Sequence, residues 1–197
     1  TIDLGVGVDT IKFTKTTNAD TVTVTSTTIS GAKSLTYEKA ATAPAITTGA
    51  GADVVIFEAA VSGAGVISTN SGNDSLQFLK DSTLTRANLG AGNDSVYVAQ
   101  VLSDTSISGA AGADTFLIST LSNAAIYGGA DNDTVSITGS LYGATVDFGA
   151  GNEKFTLSVA ATGTTLAGGT GNDTFVVTGS DLFTSSSIAG GSGTDSI

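Results

Sequence analysis

Cysteine, methionine, histidine and tryptophan are all absent from the 197 residues. Without Cys or His the chain has no disulfides, no thiolate or imidazole metal ligands and no nucleophile–histidine pair, which removes most enzyme classes. Basic residues are also scarce, 7 against 18 acidic ones, and the net charge is −11. A surface of that sign repels nucleic acid and anionic membranes and favours cations. No run approaches the ~18 consecutive apolar residues of a membrane helix, and no basic-then-apolar leader precedes Thr1, so neither a span nor an N-terminal signal peptide is expected. Proline occurs once, at Pro44, against 26 glycines. With abundant Thr, Ser, Ala and Val, this mix suits short strands joined by tight turns, not long helices.

The glycines fall in a repeat. Gly49-Ala-Gly-Ala-Asp53 is followed by Asn70-Ser-Gly-Asn-Asp74, Gly90-Ala-Gly-Asn-Asp94, Ala110-Ala-Gly-Ala-Asp114 and Gly129-Ala-Asp-Asn-Asp133. Gly149-Ala-Gly-Asn-Glu153, Gly169-Thr-Gly-Asn-Asp173 and Gly191-Ser-Gly-Thr-Asp195 complete the series. Successive acids lie 21, 20, 20, 19, 20, 20 and 22 residues apart, an internal period of about 20. Apolar residues stand two and four positions after the acid, as in Val55 and Phe57, Phe116 and Ile118, or Phe155 and Leu157. That alternation marks a strand with one buried face. A second apolar position seven residues before the acid (Ile46, Ile67, Ala87, Ile107, Ile126, Val146, Leu166, Ile188) implies a second short strand.

Each repeat then reads as one coil of strand, turn, strand and Gly-rich turn. A single coil cannot bury its own apolar face; stacked coils bury one continuous narrow core and pair each other's backbone groups. The expected fold is all-β, a parallel β-solenoid with about 20 residues per coil. Roughly ten coils at about 4.8 Å spacing make a rod on the order of 45 Å long.

Residues 46–197 form the regular part, and residues 1–45 are expected to be irregular coils of the same domain. There Asp9 precedes Ile11 and Phe13, Asp20 precedes Val22 and Val24, and Lys33 precedes Leu35 and Tyr37, at spacings of 11 and 13. Glu38 to Pro44 is expected to form a lateral loop or irregular coil. The half-repeat at Thr1 and the stop two residues after Asp195 suggest a fragment of a longer chain, because stand-alone solenoids carry polar caps.

Stacking the turns brings like-charged carboxylates to about 5 Å, where each pair repels by roughly 3 kcal/mol at an effective dielectric of 20. Calcium answers this repulsion, since it takes six to eight oxygens, carboxylate and carbonyl alike, at flexible geometry. The acids placed for it are Asp53, Asp74, Asp94, Asp114, Asp131, Asp133, Glu153, Asp173 and Asp195. A metal-free alternative is that the carboxylates accept hydrogen bonds from turn amides, while Asn73, Asn93, Asn132, Asn152 and Asn172 stack as an amide ladder.

The turns resemble the nonapeptide Gly-Gly-x-Gly-x-Asp-x-(large apolar)-x of RTX, or hemolysin-type, repeats. The nearest copies are Gly168-Gly-Thr-Gly-Asn-Asp-Thr-Phe-Val176 and Gly190-Gly-Ser-Gly-Thr-Asp-Ser-Ile197, and the resemblance covers roughly residues 46–197. It implies a calcium-bearing parallel β-roll in which the Asp carboxylates and Gly-loop carbonyls, here Gly169, Gly171, Gly191 and Gly193, hold the ions. One motif per 20 residues in place of one per nine implies at most one column of ions. Lys33 stands where an Asp is expected and excludes calcium from its coil; Glu153 replaces another Asp.

The resemblance also implies a secreted bacterial protein, exported by type I secretion and folding outside the cell where calcium is millimolar. The expected function is structural: a calcium-stabilised solenoid of a surface layer, filament or adhesin, with itself and cell-surface polysaccharide as partners. A second reading is the calcium-binding secretion and folding module of a larger enzyme or toxin. A third is a β-helix polysaccharide lyase, disfavoured because Arg86, the sole arginine, stands apart from any acidic pair. No Gly-x-Gly segment fits a nucleotide-binding loop. The sequons at Asn73, Asn93, Asn132 and Asn172 are by-products of the repeat. Ile56, Tyr97, Leu117 and Val176 point outward, as ordinary sheet surface or as a contact stripe.

Overall fold

A computed structural model describes residues 9–13, 23–24, 33–84, 86–158, 160–178 and 183–197. Among them there is no helix, and so none long and apolar enough to cross a membrane. The strands stack in parallel, each on its counterpart one coil away, into a parallel β-solenoid. One side carries nine stacked strands from Asp9–Phe13 to Thr174–Val177, and a second side carries nine from Thr23–Val24 to Ser187–Ser192. A bridge from Thr174 to Ser196 starts one further level.

Register follows the sequence period. On the first side Val55, Leu76, Val96, Phe116, Val135, Phe155 and Phe175 stand in one inward row. On the second, Ile46, Ile67, Ala87, Ile107, Ile126, Val146, Leu166 and Ile188 form another. Because the side-chain period of a strand is two, the alternate residues face water, and Ser95, Thr115 and Lys154 are exposed there. The core is a single cluster running the length of the rod. Aromatic residues stack within it: Tyr37 on Phe57 and Phe57 on Phe78, with centroids 4.8 and 5.3 Å apart.

Past a register shift between Val98 and Val101, the first sheet carries a further row of short strands, here called its third side, that the two-strand reading of the coil did not contain. Short strands at Ala41–Thr42, Val61–Ser62, Ser82–Thr83, Leu141–Tyr142, Ala161–Thr162 and Phe183–Thr184 stack on one another and on the ends of Ser95–Ser103 and Thr115–Ser122. Within Glu38 to Pro44, expected as a lateral loop or irregular coil, Ala41–Thr42 joins this row by pairing with Val61–Ser62, and Pro44 is buried. Glu38 is also tied back to the preceding coil by an ion pair with Lys12 at 2.7 Å.

The irregular N-terminal spacing also has a structural reason. Asp9 stands in register with Lys33, one coil apart, while Val24 pairs with Ile46 on the second side. Thr23–Val24 is thus a strand of the second side, not the first-side strand that its spacing suggests. Asp20 and Val22 lie outside the described residues.

Candidate metal centre

Every Gly-rich turn closes on an inward acid. Asp53, Asp74, Asp94, Asp114, Asp133, Glu153 and Asp173 are at most 2% exposed, although an ionised carboxylate is among the costliest groups to take from water. Asp195 is half-buried at the last described turn. Asp131, which takes a glycine's place in its turn at φ 76°, is exposed and lies outside this buried column.

One oxygen of each Asp of the column from Asp74 onward is satisfied by the preceding coil. The backbone N–H of Asp53 donates to Oδ1 of Asp74 at 2.7 Å, Asp74 to Asp94 at 2.7 Å, Asp94 to Asp114 at 2.8 Å and Asp114 to Asp133 at 2.8 Å. After an interruption, Glu153 donates to Asp173 at 3.0 Å and Asp173 to Asp195 at 2.9 Å. Neither carboxylate oxygen of Glu153 accepts a hydrogen bond. Its longer side chain turns back so that Oε1 lies against Gly151, and the ladder breaks between Asp133 and Glu153.

The outer face of the same turns carries the amide ladder. Oδ1 of Asn73 accepts from the Asn93 N–H, Asn132 from Asn152, and Asn152 from Asn172, at 2.7–2.9 Å. Where the next coil has Ala113 or Thr194, its amide donates in the same way to Asn93 or Asn172.

The second carboxylate oxygen is the unresolved account. Oδ2 of Asp74, Asp94, Asp114, Asp133 and Asp173 is buried and accepts no hydrogen bond, although buried polar atoms are nearly always partnered. Burial pushes the Asp94 and Asp114 carboxyls up to about 7 and Asp133 to about 6, with neighbouring acids of the column and Asp131 adding to the rise. Burial, with the Asp173 carboxyl alongside, pushes Glu153 to about 8. Asp74 is raised for the same first reason, against the pull of the Asp53 amide.

The donor set fits a hard cation. Among the described residues no three acidic side chains converge on one point, so an ion here would have one or two carboxylates and would need carbonyls to complete its shell, a mix calcium accepts. Suitable carbonyls lie beside the unpartnered oxygens: a Cβ placed on Gly109 would meet both Asp114 Oδ2 and the Gly128 carbonyl oxygen. One on Gly128 would meet Asp133 Oδ2 and the Phe148 carbonyl, and one on Gly168 would meet Asp173 Oδ2 and the Gly190 carbonyl. Of the glycine carbonyls expected as ligands, those of Gly169 and Gly171 point along the stack toward the Cα atoms of Gly191 and Gly193. Sequence reasoning placed the carbonyl donors two to four residues before the acid. The residue five before it, first in the nonapeptide, is the one that abuts the carboxylate.

No protein-family model matches the chain, and no curated protein does. Among solved structures, the X-ray crystal structure of a hyperactive, Ca2+-dependent, beta-helical antifreeze protein from an Antarctic bacterium superposes with a TM-score of 0.66 at 20% identity. The match covers 95% of this chain and 69% of that one. At this identity the likeness establishes the β-helical fold.

Proposed function

We propose that this chain is a calcium-stabilised extracellular structural solenoid, building material of a bacterial surface layer, filament or adhesin with no catalysis of its own. The observation that carries the reading is the column of buried carboxylates, each Asp from Asp74 onward held through Oδ1 while Oδ2 of Asp74, Asp94, Asp114, Asp133 and Asp173 is left without a donor. Calcium bound beside the column supplies positive charge to those oxygens and draws consecutive coils together. Secretion fits this reading, since extracellular modules commonly fold on the millimolar calcium found outside cells. Lateral association is supported by Tyr97 and Leu117, neighbours in one outward row and 39% and 43% exposed. Titrating calcium into chelated protein, with circular dichroism and light scattering as readouts, tests the reading. Folding together with particle growth supports it. Folding without growth favours a secretion and folding module of a larger protein, and full structure in chelator removes the calcium.

A second reading is antifreeze activity, the function named for the β-helical neighbour. It is favoured by the exposed turn edge, where Asn132, Asn152 and Asn172 project at one-coil intervals beside the small residues Ala130, Ala150 and Thr170. A freezing-point depression beyond the colligative value, lost when these Asn are replaced by Lys, would select it over the structural role.

A further inference from the structure

We infer that the residue five positions before each acid decides which coils take a cation, and that the coils of Asp114, Asp133 and Asp173 are the ones built to do so. The inference rests on the calcium reading above and adds where the ions sit.

That position points inward beside the carboxylate, and three kinds of residue occupy it. In the coils of Asp53 and Asp74 it is threonine. The Thr48 hydroxyl donates to the Thr69 carbonyl at 3.2 Å, and the Thr69 hydroxyl to the Leu89 carbonyl at 2.8 Å. Each hydroxyl thereby satisfies a carbonyl that an ion would otherwise use. In the coils of Asp94 and Glu153 the position holds Leu89 and Phe148, both wholly buried. Their apolar side chains fill the space and bring no oxygen of their own to it.

Gly109, Gly128 and Gly168 are different. With no side chain there, the unpartnered carboxylate oxygen of the same coil lies where a Cβ would stand, next to a backbone carbonyl oxygen of the next coil. Asp114, Asp133 and Asp173 are each 1% exposed, so water does not readily supply the missing donor. Gly190 has only half of this arrangement, for the atoms nearest its absent Cβ all belong to Asp195. The carboxylate column is thus continuous from Asp53 to Asp133, but the pairings of a free carboxylate oxygen with a next-coil carbonyl against a glycine are not. Two adjoin each other at Gly109 and Gly128, and the third, at Gly168, is separated from them by the coil of Phe148 and Glu153.

The test is an ion count by native mass spectrometry on the full chain, first stripped with chelator and then saturated with calcium. Gly109→Thr imitates the arrangement at Thr69, and Thr69→Gly opens the corresponding space in the coil of Asp74. The expected counts are three ions for the wild type, two for Gly109→Thr and four for Thr69→Gly. If Gly109→Thr does not fold, as seen by circular dichroism, the gain in Thr69→Gly alone decides. An unchanged count in the folded variants, or one ion per coil in the wild type, overturns the inference while leaving the calcium reading intact. A wild type that binds no calcium overturns that reading and the inference with it.

Discussion

The amide of Asp94 donates to Oδ1 of Asp114 at 2.8 Å, while Oδ2 of the same Asp114 carboxyl, equally buried, accepts nothing. The two oxygens make opposite demands. The first wants the side chain where it is, and the second wants either a proton, a donor or a cation.

The substitution Asp114→Asn separates these demands. Asparagine keeps an acceptor for the Asp94 amide and replaces the unpartnered oxygen with an NH2 that can donate to the nearby Gly128 carbonyl. In chelator at pH 8 the variant is expected to be more stable than wild type by about 1–3 kcal/mol, the scale of a buried unsatisfied polar group. In millimolar calcium the order reverses, because a ligand has been lost. Thermal melts in the two buffers check this; destabilisation in both would mean that the carboxylate is held by something other than a cation.

Proton linkage makes a related prediction for the wild type. Asp94 and Asp114 at about 7, Asp133 at about 6 and Glu153 at about 8 are all raised above their ordinary values by burial. The folded state therefore holds more protons than the unfolded one between about pH 4 and these values. The stabilisation is full below about pH 4, is lost as pH climbs through about 6 to 8, and changes little above. In chelator the melting temperature is expected to fall from pH 4.5 to pH 8. Saturating calcium, which binds the ionised form, is expected to flatten or invert that slope.

How much of this was legible in the sequence depended on how much side-chain volume each position carried. The acid, the apolar pair after it and the apolar residue seven before it are large or charged in nearly every coil, and their period gave the parallel solenoid and the buried column. The third side was not legible because its strands are two residues long and its inward row mixes Ala41, Val61, Ser82 and Leu102. Two residues cannot display an alternation. The N-terminal spacing misled for a related reason: Val22 and Val24 carry the same apolar pair as a first-side strand, but Val24 stacks on Ile46 of the second side. The position five before the acid hid behind its own variety, since Thr, Leu, Phe and Gly share no pattern until the carboxylate beside them is seen.

Turn strain offers a stabilising change. Ala110 sits at φ 87°, a conformation its Cβ disfavours by about 1–2 kcal/mol, where Gly90, Gly129 and Gly149 stand in the equivalent turns. Ala110→Gly relieves that strain but frees the unfolded chain by about 0.5–1 kcal/mol. A net gain of up to ~1 kcal/mol in urea denaturation is expected. The reverse change, Gly90→Ala, would drive a Cβ into the Asn70 carbonyl of the preceding coil and destabilise.

Damage to the stacked core should stay local. Phe57 and Phe78 lie nearly parallel, 5° apart in plane and 5.3 Å between centroids, and both are wholly buried. Phe78→Ala is expected to cost about 3–5 kcal/mol, the range for deleting a buried aromatic. In a stack where each coil touches only its neighbours, that loss is not shared evenly along the rod. The separate cluster of Phe148, Phe155 and Phe175, with centroids 6.1–6.3 Å apart, packs several coils away. Hydrogen exchange in Phe78→Ala is therefore expected to accelerate in Val54–Phe57, Ser75–Phe78 and Ser95–Ser103 while Lys154–Leu157 stays protected. Uniform acceleration along the whole chain would instead mean that the solenoid opens as one cooperative unit, in which case an ion bound at Gly168 would also protect the coils around Phe57.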